Sequence, residues 1–123
     1  MAGRVLVVDD DPNTVGLLQE FLRAKGYEVF TAGGGVEALR KVTEERPHVI
    51  LLDIKMPAMD GLEVLRRLRE TNREVGVIMI TAVDEQEIAK EAMALGAFDY
   101  IVKPLDLDYL ERSLWYKISQ MTL

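Results

Sequence analysis

Four short apolar runs in this 123-residue chain each end in a polar residue suited to phosphoryl chemistry. Val5–Val8 leads into Asp9, Asp10 and Asp11, and Val49–Leu52 leads into Asp53. Val77–Ile80 leads into Thr81, and Tyr100–Val102 leads into Lys103, which Pro104 follows. Carboxylates gathered in one crevice repel each other, so either their pKa values rise or a cation sits among them. A hard, oxygen-coordinated ion suits such donors. Mg²⁺ takes a few carboxylates, keeps some waters and favours phosphate oxygens. Lys103 supplies a positive charge able to meet a transferred phosphoryl group, and Thr81 a hydroxyl donor. Phosphoryl transfer needs mainly positioning and charge neutralisation of this kind. A carboxylate can itself be the nucleophile, giving an aspartyl phosphate. Asp53 is the best candidate because it stands alone at the end of the central run.

These residues are far apart in the chain, so the fold has to gather them. Parallel strands of one sheet would do so, since their C-terminal ends share an edge, and ligands bind at that edge in open α/β sheets. The patterning agrees: strand and helix alternate five times, which argues for a parallel sheet with helices on both faces. The expected strands are Arg4–Val8, Tyr27–Thr31, His48–Leu52, Val75–Ile80 and Tyr100–Val102. The first helix begins at an Asp11 cap with Pro12 in its first turn, repeats Val15, Leu18 and Leu22, and stops at Gly26. Further helices are expected over Val36–Glu45 (ended by Pro47), Leu62–Glu70, a segment opened by Asp84 or Glu85 and closed by Gly96, and Leu107 to about Met121. Gly33-Gly34-Gly35 reads as a loop, because no Gly-Lys-Ser/Thr follows to make a phosphate cradle. The first, third and fourth strands are almost wholly apolar, as strands covered on both faces are, while the second and fifth are mixed, as at sheet edges. The order 2-1-3-4-5 follows, with a crevice beside strands one and three.

Composition narrows the function. The length is that of one domain, residues 1–123, and 49% of the residues are apolar, enough for a core without a metal or disulfide staple. The absence of cysteine excludes disulfides, zinc–thiolate sites and thiol nucleophiles. A net charge of −6, with basic residues scattered, argues against nucleic-acid binding. The Arg66, Arg67 and Arg69 group shares its helix with Glu63 and Glu70 and reads as a solvated face. Met1-Ala2-Gly3-Arg4 runs directly into a strand, leaving no room for a signal peptide, and no stretch approaches the roughly 20 apolar residues of a membrane span. The expected address is the cytoplasm, with no membrane partner.

Taken in order, Val-Val-Asp9-Asp10-Asp11, Leu-Leu-Asp53-Ile-Lys-Met-Pro57, Asp60-Gly61, Ile-Thr81-Ala82 and Lys103-Pro104 resemble a response-regulator receiver domain of two-component signalling. The resemblance spans essentially the whole chain and implies a flavodoxin-like fold. It implies that Asp53 accepts phosphate from a phosphohistidine on a sensor kinase or phosphotransfer protein. Asp10 and Asp53 would bind Mg²⁺ directly, with the backbone carbonyl of Lys55 as a third ligand and Asp9 helping through a water. Lys103 would pair with the phosphoryl oxygens, and Thr81 would hydrogen-bond to one of them. Tyr100 stands where the family has a switch aromatic, which would turn inward as Thr81 moves and reshape the surface of the fourth helix, fifth strand and last helix. A cis bond before Pro104, aiming Lys103 into the site, is likewise implied by the family. Asp11 reads as a helix cap and Asp60 as turn chemistry before Gly61, rather than as site acids. His48 reads as structural.

Two features lie outside this pattern. Lys55, two residues past Asp53, has an ammonium expected to pair with the acidic cluster and compete with the cation. On the last helix, Leu107, Leu110, Leu114, Ile118 and Met121 form one stripe facing the sheet. Tyr109, Tyr116 and Leu123 form another, roughly opposite, with Trp115 between. One apolar face suffices to cover a sheet, so the second suggests a homodimer, a docked partner or a continuation into an output domain. Two rival functions remain. An aspartyl-nucleophile phosphohydrolase usually carries a second Asp where this chain has Lys55, and a non-phosphorylated receiver-like scaffold has no need to keep Asp10, Asp53, Thr81 and Lys103 together.

Overall fold

The computed structural model describes residues 3–121. The elements alternate as β1 (Arg4–Val8), α1 (Pro12–Ala24), β2 (Glu28–Ala32), α2 (Gly35–Glu45), β3 (Val49–Asp53), α3 (Gly61–Thr71), β4 (Gly76–Thr81), α4 (Gln86–Ala94), β5 (Asp99–Val102) and α5 (Leu107–Met121). All four strand pairings are parallel, and the order is β2-β1-β3-β4-β5. The doubly wound sheet with five helices is the architecture expected from the sequence.

Strand periodicity divides the core in two. Leu6, Val8, Ile50, Leu52 and Met79 face α2, α3 and α4, meeting Val42, Leu65, Leu68 and Ala89. Val5, Val7, Val49, Leu51 and Ile78 face α1 and α5, meeting Leu18, Leu22, Leu110 and Leu114. The central strands are therefore buried on both sides, which is why they read as continuous apolar runs.

The helix ends follow local chemistry. Asp11 caps α1, its Oδ1 accepting from the Asn13 amide at 2.9 Å. Gly26, at φ 96°, turns the chain out of α1 in the left-handed region. Tyr27 then donates its amide back to the Leu22 carbonyl at 3.1 Å, which is why β2 starts at Glu28 and not at Tyr27. A second shift concerns the site. β3 and β4 each run one residue further than their apolar stretches, so Asp53 and Thr81 are the last residues of their strands. Backbone pairing does not stop where side chains become polar: Asp53 stands opposite Ile80, and Thr81 opposite Val102. At α4 the expected acidic opening is a short 3-10 turn, Val83–Glu85, with the α-helix beginning only at Gln86.

On α5, Leu110, Leu114 and Ile118 are buried against the sheet, and Leu107 and Met121 pack beside them. Tyr109, Trp115 and Tyr116 are exposed. Leu123, assigned to the outer stripe, lies outside the described residues.

Candidate functional site

The sheet's C-terminal edge brings together the residues that end the four runs. Asp9 follows β1, Asp53 ends β3, Thr81 ends β4 and Lys103 follows β5. Their backbones are tied across the edge: Ile54 donates to the Ile80 carbonyl at 3.1 Å, Lys103 to the Thr81 carbonyl at 2.8 Å, and Asp9 to the Ala32 carbonyl at 3.2 Å. A side chain leaving such a network starts from a fixed point, as a preorganised site requires.

Asp9, Asp10 and Asp53 each offer a carboxylate oxygen, and the three oxygens lie within 4.8 Å of one another. Asp9 and Asp53 are buried and Asp10 is exposed. The Lys103 ammonium bridges the two buried acids, 3.3 Å from Asp53 Oδ1 and 3.7 Å from Asp9 Oδ2. The Lys103–Pro104 peptide is cis. Asp9 Oδ1 also accepts from the Asp11 amide at 2.9 Å, which fixes its orientation. Thr81 is fully buried, and its hydroxyl donates to the Ala82 carbonyl at 3.1 Å.

The electrostatics follow from burial and crowding. Desolvation, with the negative charge of Asp9 added, pushes the Asp53 carboxyl up to about 6, against the pull of Lys103. Asp9 is also raised, again chiefly by burial. At Lys103, burial works against the charge, but Asp53 and Asp9 outweigh it and hold the ammonium above its ordinary range. Three carboxylates thus face one ammonium, and the site carries a surplus of negative charge. The donors are all hard oxygens, as a cation such as Mg²⁺ requires. A groove of 470 Å³ opens from Asp9 and Asp10 between α1 and α2, lined further by Val15, Gln19, Glu37 and Lys41.

Other expected roles divide. Asp60 is the cap of α3, accepting from the Glu63 amide at 2.9 Å, and lies outside the acid cluster. His48 is structural: its Nδ1 accepts from the Arg4 amide at 2.9 Å, and burial lowers its pKa. Lys55 does not pair with the acids. Its side chain is exposed on the loop after β3, with no ion pair among the described residues, and the ammonium over the cluster belongs to Lys103. Tyr100 is half-buried, packed against the α2–α4 side of the core.

Two arrangements escaped sequence reasoning. Asp99 accepts the Tyr109 and Ser113 hydroxyls, both at 2.7 Å on Oδ2, and the Tyr100 amide at 2.8 Å on Oδ1. It thereby ties β5 to α5 beside Tyr100; an acid at the head of an edge strand was the only available signal. Gly61, the first residue of α3, lies directly against the Asp53 backbone. In the sequence it was legible only as a turn glycine.

A family model of the response regulator receiver domain matches residues 5–114. The chain is 41% identical over 108 residues to sporulation initiation phosphotransferase F of Bacillus subtilis, covering 88% of this chain and 87% of that one. It is 43% identical over 110 residues to the transcriptional regulatory protein ZraR of Klebsiella oxytoca, covering 89% of this chain but only 25% of the relative. Among solved structures, a response regulator receiver domain protein from Clostridium thermocellum superposes with a TM-score of 0.92 at 30% identity, covering 97% and 96% of the two chains. NtrX from Brucella abortus superposes at 0.89 and 32% identity, over 99% of this chain and 29% of that one. The chain thus spans nearly the whole of some relatives and about a quarter of others.

Proposed function

This chain belongs to the response regulator receiver domain family of two-component signalling, and from that premise we propose that Asp53 is its phosphoacceptor and that residues 1–123 work as one Mg²⁺-dependent switch. The observation that carries the reading is the bridge of Lys103 across Asp53 and Asp9, with Asp10 beside them at the sheet edge.

In the proposed reaction a carboxylate oxygen of Asp53 attacks the phosphorus of a phosphohistidine on a sensor kinase or phosphotransfer protein. The P–N bond breaks, and its electron pair returns to the imidazole, which takes up a proton. Lys103 pairs with the transferred oxygens, and the Thr81 hydroxyl leaves the Ala82 carbonyl to donate to one of them. Asp10, Asp53 and the backbone carbonyl of Lys55 would hold Mg²⁺, with Asp9 assisting. Bound there, the ion would supply neutralisation of the charge that builds on the phosphoryl group. The chain catalyses its own phosphorylation and a slow loss of phosphate, with no external turnover substrate.

Movement of Thr81 toward the phosphate frees space for Tyr100 to turn inward, which biases a two-state equilibrium of the α4–β5–α5 surface. Tyr109, Trp115 and Tyr116 then present the altered face to a second copy, a partner or an output domain. Longer relatives such as ZraR are named as transcriptional regulators. No helix among the described residues is long and apolar enough to cross a membrane, and we place the protein in the cytoplasm. The phosphohydrolase alternative is disfavoured by Lys55, which stands where that chemistry needs an acid.

The test is chemical. After treatment with a small acyl phosphate and Mg²⁺, borohydride reduction should convert a phosphorylated aspartate to homoserine, and peptide mapping should find it at position 53. Homoserine at Asp9 or Asp10 instead would assign the nucleophile elsewhere.

A further inference from the structure

The Asp53 carboxylate is placed by the peptide that carries it, and that peptide is clamped from two directions. On one side β4 holds it: Asp53 stands opposite Ile80, and the Ile54 amide donates to the Ile80 carbonyl at 3.1 Å. On the other side sits the first residue of α3, where the Gly61 amide donates to the Ile54 carbonyl at 2.7 Å. The approach is closer than any side chain permits. A Cβ on Gly61 would overlap the Asp53 carbonyl oxygen and come within 2.9 Å of Ile54 Cα and 3.0 Å of the Asp53 carbonyl carbon. All three atoms are backbone, so none can swing aside as a side chain can.

The groups that must meet the Asp53 carboxylate stand on other elements. Asp9 and Asp10 follow β1, and Lys103 follows β5. A displacement of the Asp53–Ile54 peptide is not shared by them, so it changes the 3.3 Å spacing to Lys103 and the clustering of the three acids. We propose that Gly61 is a positioning residue for phosphoryl acceptance: by lacking a Cβ it seats α3 against the Asp53 peptide and sets the carboxylate's place among Asp9, Asp10 and Lys103. The proposal rests on the reading of Asp53 as phosphoacceptor.

Gly35 provides the control. A Cβ there would come within 2.8 Å of Met59 Sδ and Val64 Cγ2 and 3.0 Å of Met59 Cβ. It would load the same loop and helix with the same added methyl, but against the side chains of Met59 and Val64 and not against the Asp53–Ile54 peptide. Gly61→Ala and Gly35→Ala are therefore compared with the unmodified protein. Mg²⁺ affinity is followed by ¹H–¹⁵N NMR titration, phosphorylation by intact mass after acetyl phosphate, and stability by urea unfolding. Gly61→Ala should weaken Mg²⁺ binding by about 10-fold or more, as losing a group that orients a metal ligand does, while Gly35→Ala stays within about twofold. Phosphorylation of Gly61→Ala should slow by up to about 100-fold, the cost of misplacing a reacting group by an ångström.

Unchanged Mg²⁺ affinity in Gly61→Ala overturns the proposal, and so does an equal loss in both variants. If Gly61→Ala does not fold, the unmodified protein decides: the Gly61 amide resonance should shift during the Mg²⁺ titration with the same midpoint as that of Asp53, and a stationary Gly61 resonance overturns the proposal. If the unmodified protein takes up no phosphoryl group, the phosphoacceptor reading fails, while the Mg²⁺ comparison still judges the role of Gly61.

Discussion

At the residue scale, the site is one acid held in an unfavourable place. Asp53 is pushed up to about 6 by burial and by Asp9. Its folded-state value lies above its unfolded one, so the fold favours the protonated acid. That contribution is fully present below the ordinary carboxylate range and is lost as pH rises through about 6. At neutral pH the charged acid therefore weakens the metal-free fold, and a shift of this size corresponds to about 3 kcal/mol at most. Asp53→Asn should then be more stable than the unmodified protein in chelator at neutral pH, as read by urea unfolding; a less stable variant would contradict the assignment. The same titration predicts that Mg²⁺ affinity falls as pH drops below about 6, because the ion competes with a proton for Asp53. Lys103 has two opposed effects. Lys103→Met should leave Mg²⁺ binding at least as tight at neutral pH, since no ammonium stands 3.3 Å from Asp53, yet slow phosphorylation by about 100-fold through lost charge stabilisation. Asp9, Asp53, Thr81 and Lys103 were legible in the sequence because each interrupts an apolar run at its end. The pairing of Lys103 in place of Lys55 was not. Lys55 is nearer in sequence, but only the closed sheet shows which ammonium stands over the acids.

At the element scale, alternation and periodicity were enough to give every strand and helix, and the departures sit at the boundaries. β3 and β4 gain Asp53 and Thr81 because ladder hydrogen bonds are indifferent to side-chain polarity. The α4 opening departs because Glu85 donates its amide to the Ala82 carbonyl at 3.0 Å, making a 3-10 turn before the α-helix starts. Long-range ties between helices were invisible in the sequence. Arg66 meets Glu91 at 2.9 Å, joining α3 to α4. Arg69, half-buried, donates to the carbonyls of Asn72, Val75 and Gly96. Local composition had marked both arginines as a solvated face, which holds for Arg66 but not for Arg69. Arg69→Met leaves three carbonyls without that donor and should cost about 2 kcal/mol or more, measured as a lower urea midpoint. Asp60→Ala removes the cap of α3 and should cost about 1 kcal/mol. Because α3 leans on Asp53 through Gly61, the same variant should also weaken Mg²⁺ binding slightly.

At the scale of the whole molecule, the proposed switch has one edge of the sheet accept the phosphoryl group and a different surface report it. The two would be connected through Thr81 at the end of β4 and through β5, where Asp99 binds the Tyr100 amide together with the Tyr109 and Ser113 hydroxyls of α5. Trp115 and Tyr116 of α5 are exposed, and theirs is the face proposed for a second copy or an output domain. If this face pairs two copies on activation, sedimentation with a beryllofluoride phosphate mimic should show dimers that Tyr116→Ala abolishes; a monomer throughout would assign the face to another partner. The direct test of the central claim is intact-mass measurement after acetyl phosphate, with Mg²⁺ or with chelator, on the unmodified protein and on Asp53→Asn. A gain of one phosphoryl mass is expected only in the unmodified protein and only with Mg²⁺. No gain there, or an equal gain in Asp53→Asn, would contradict it.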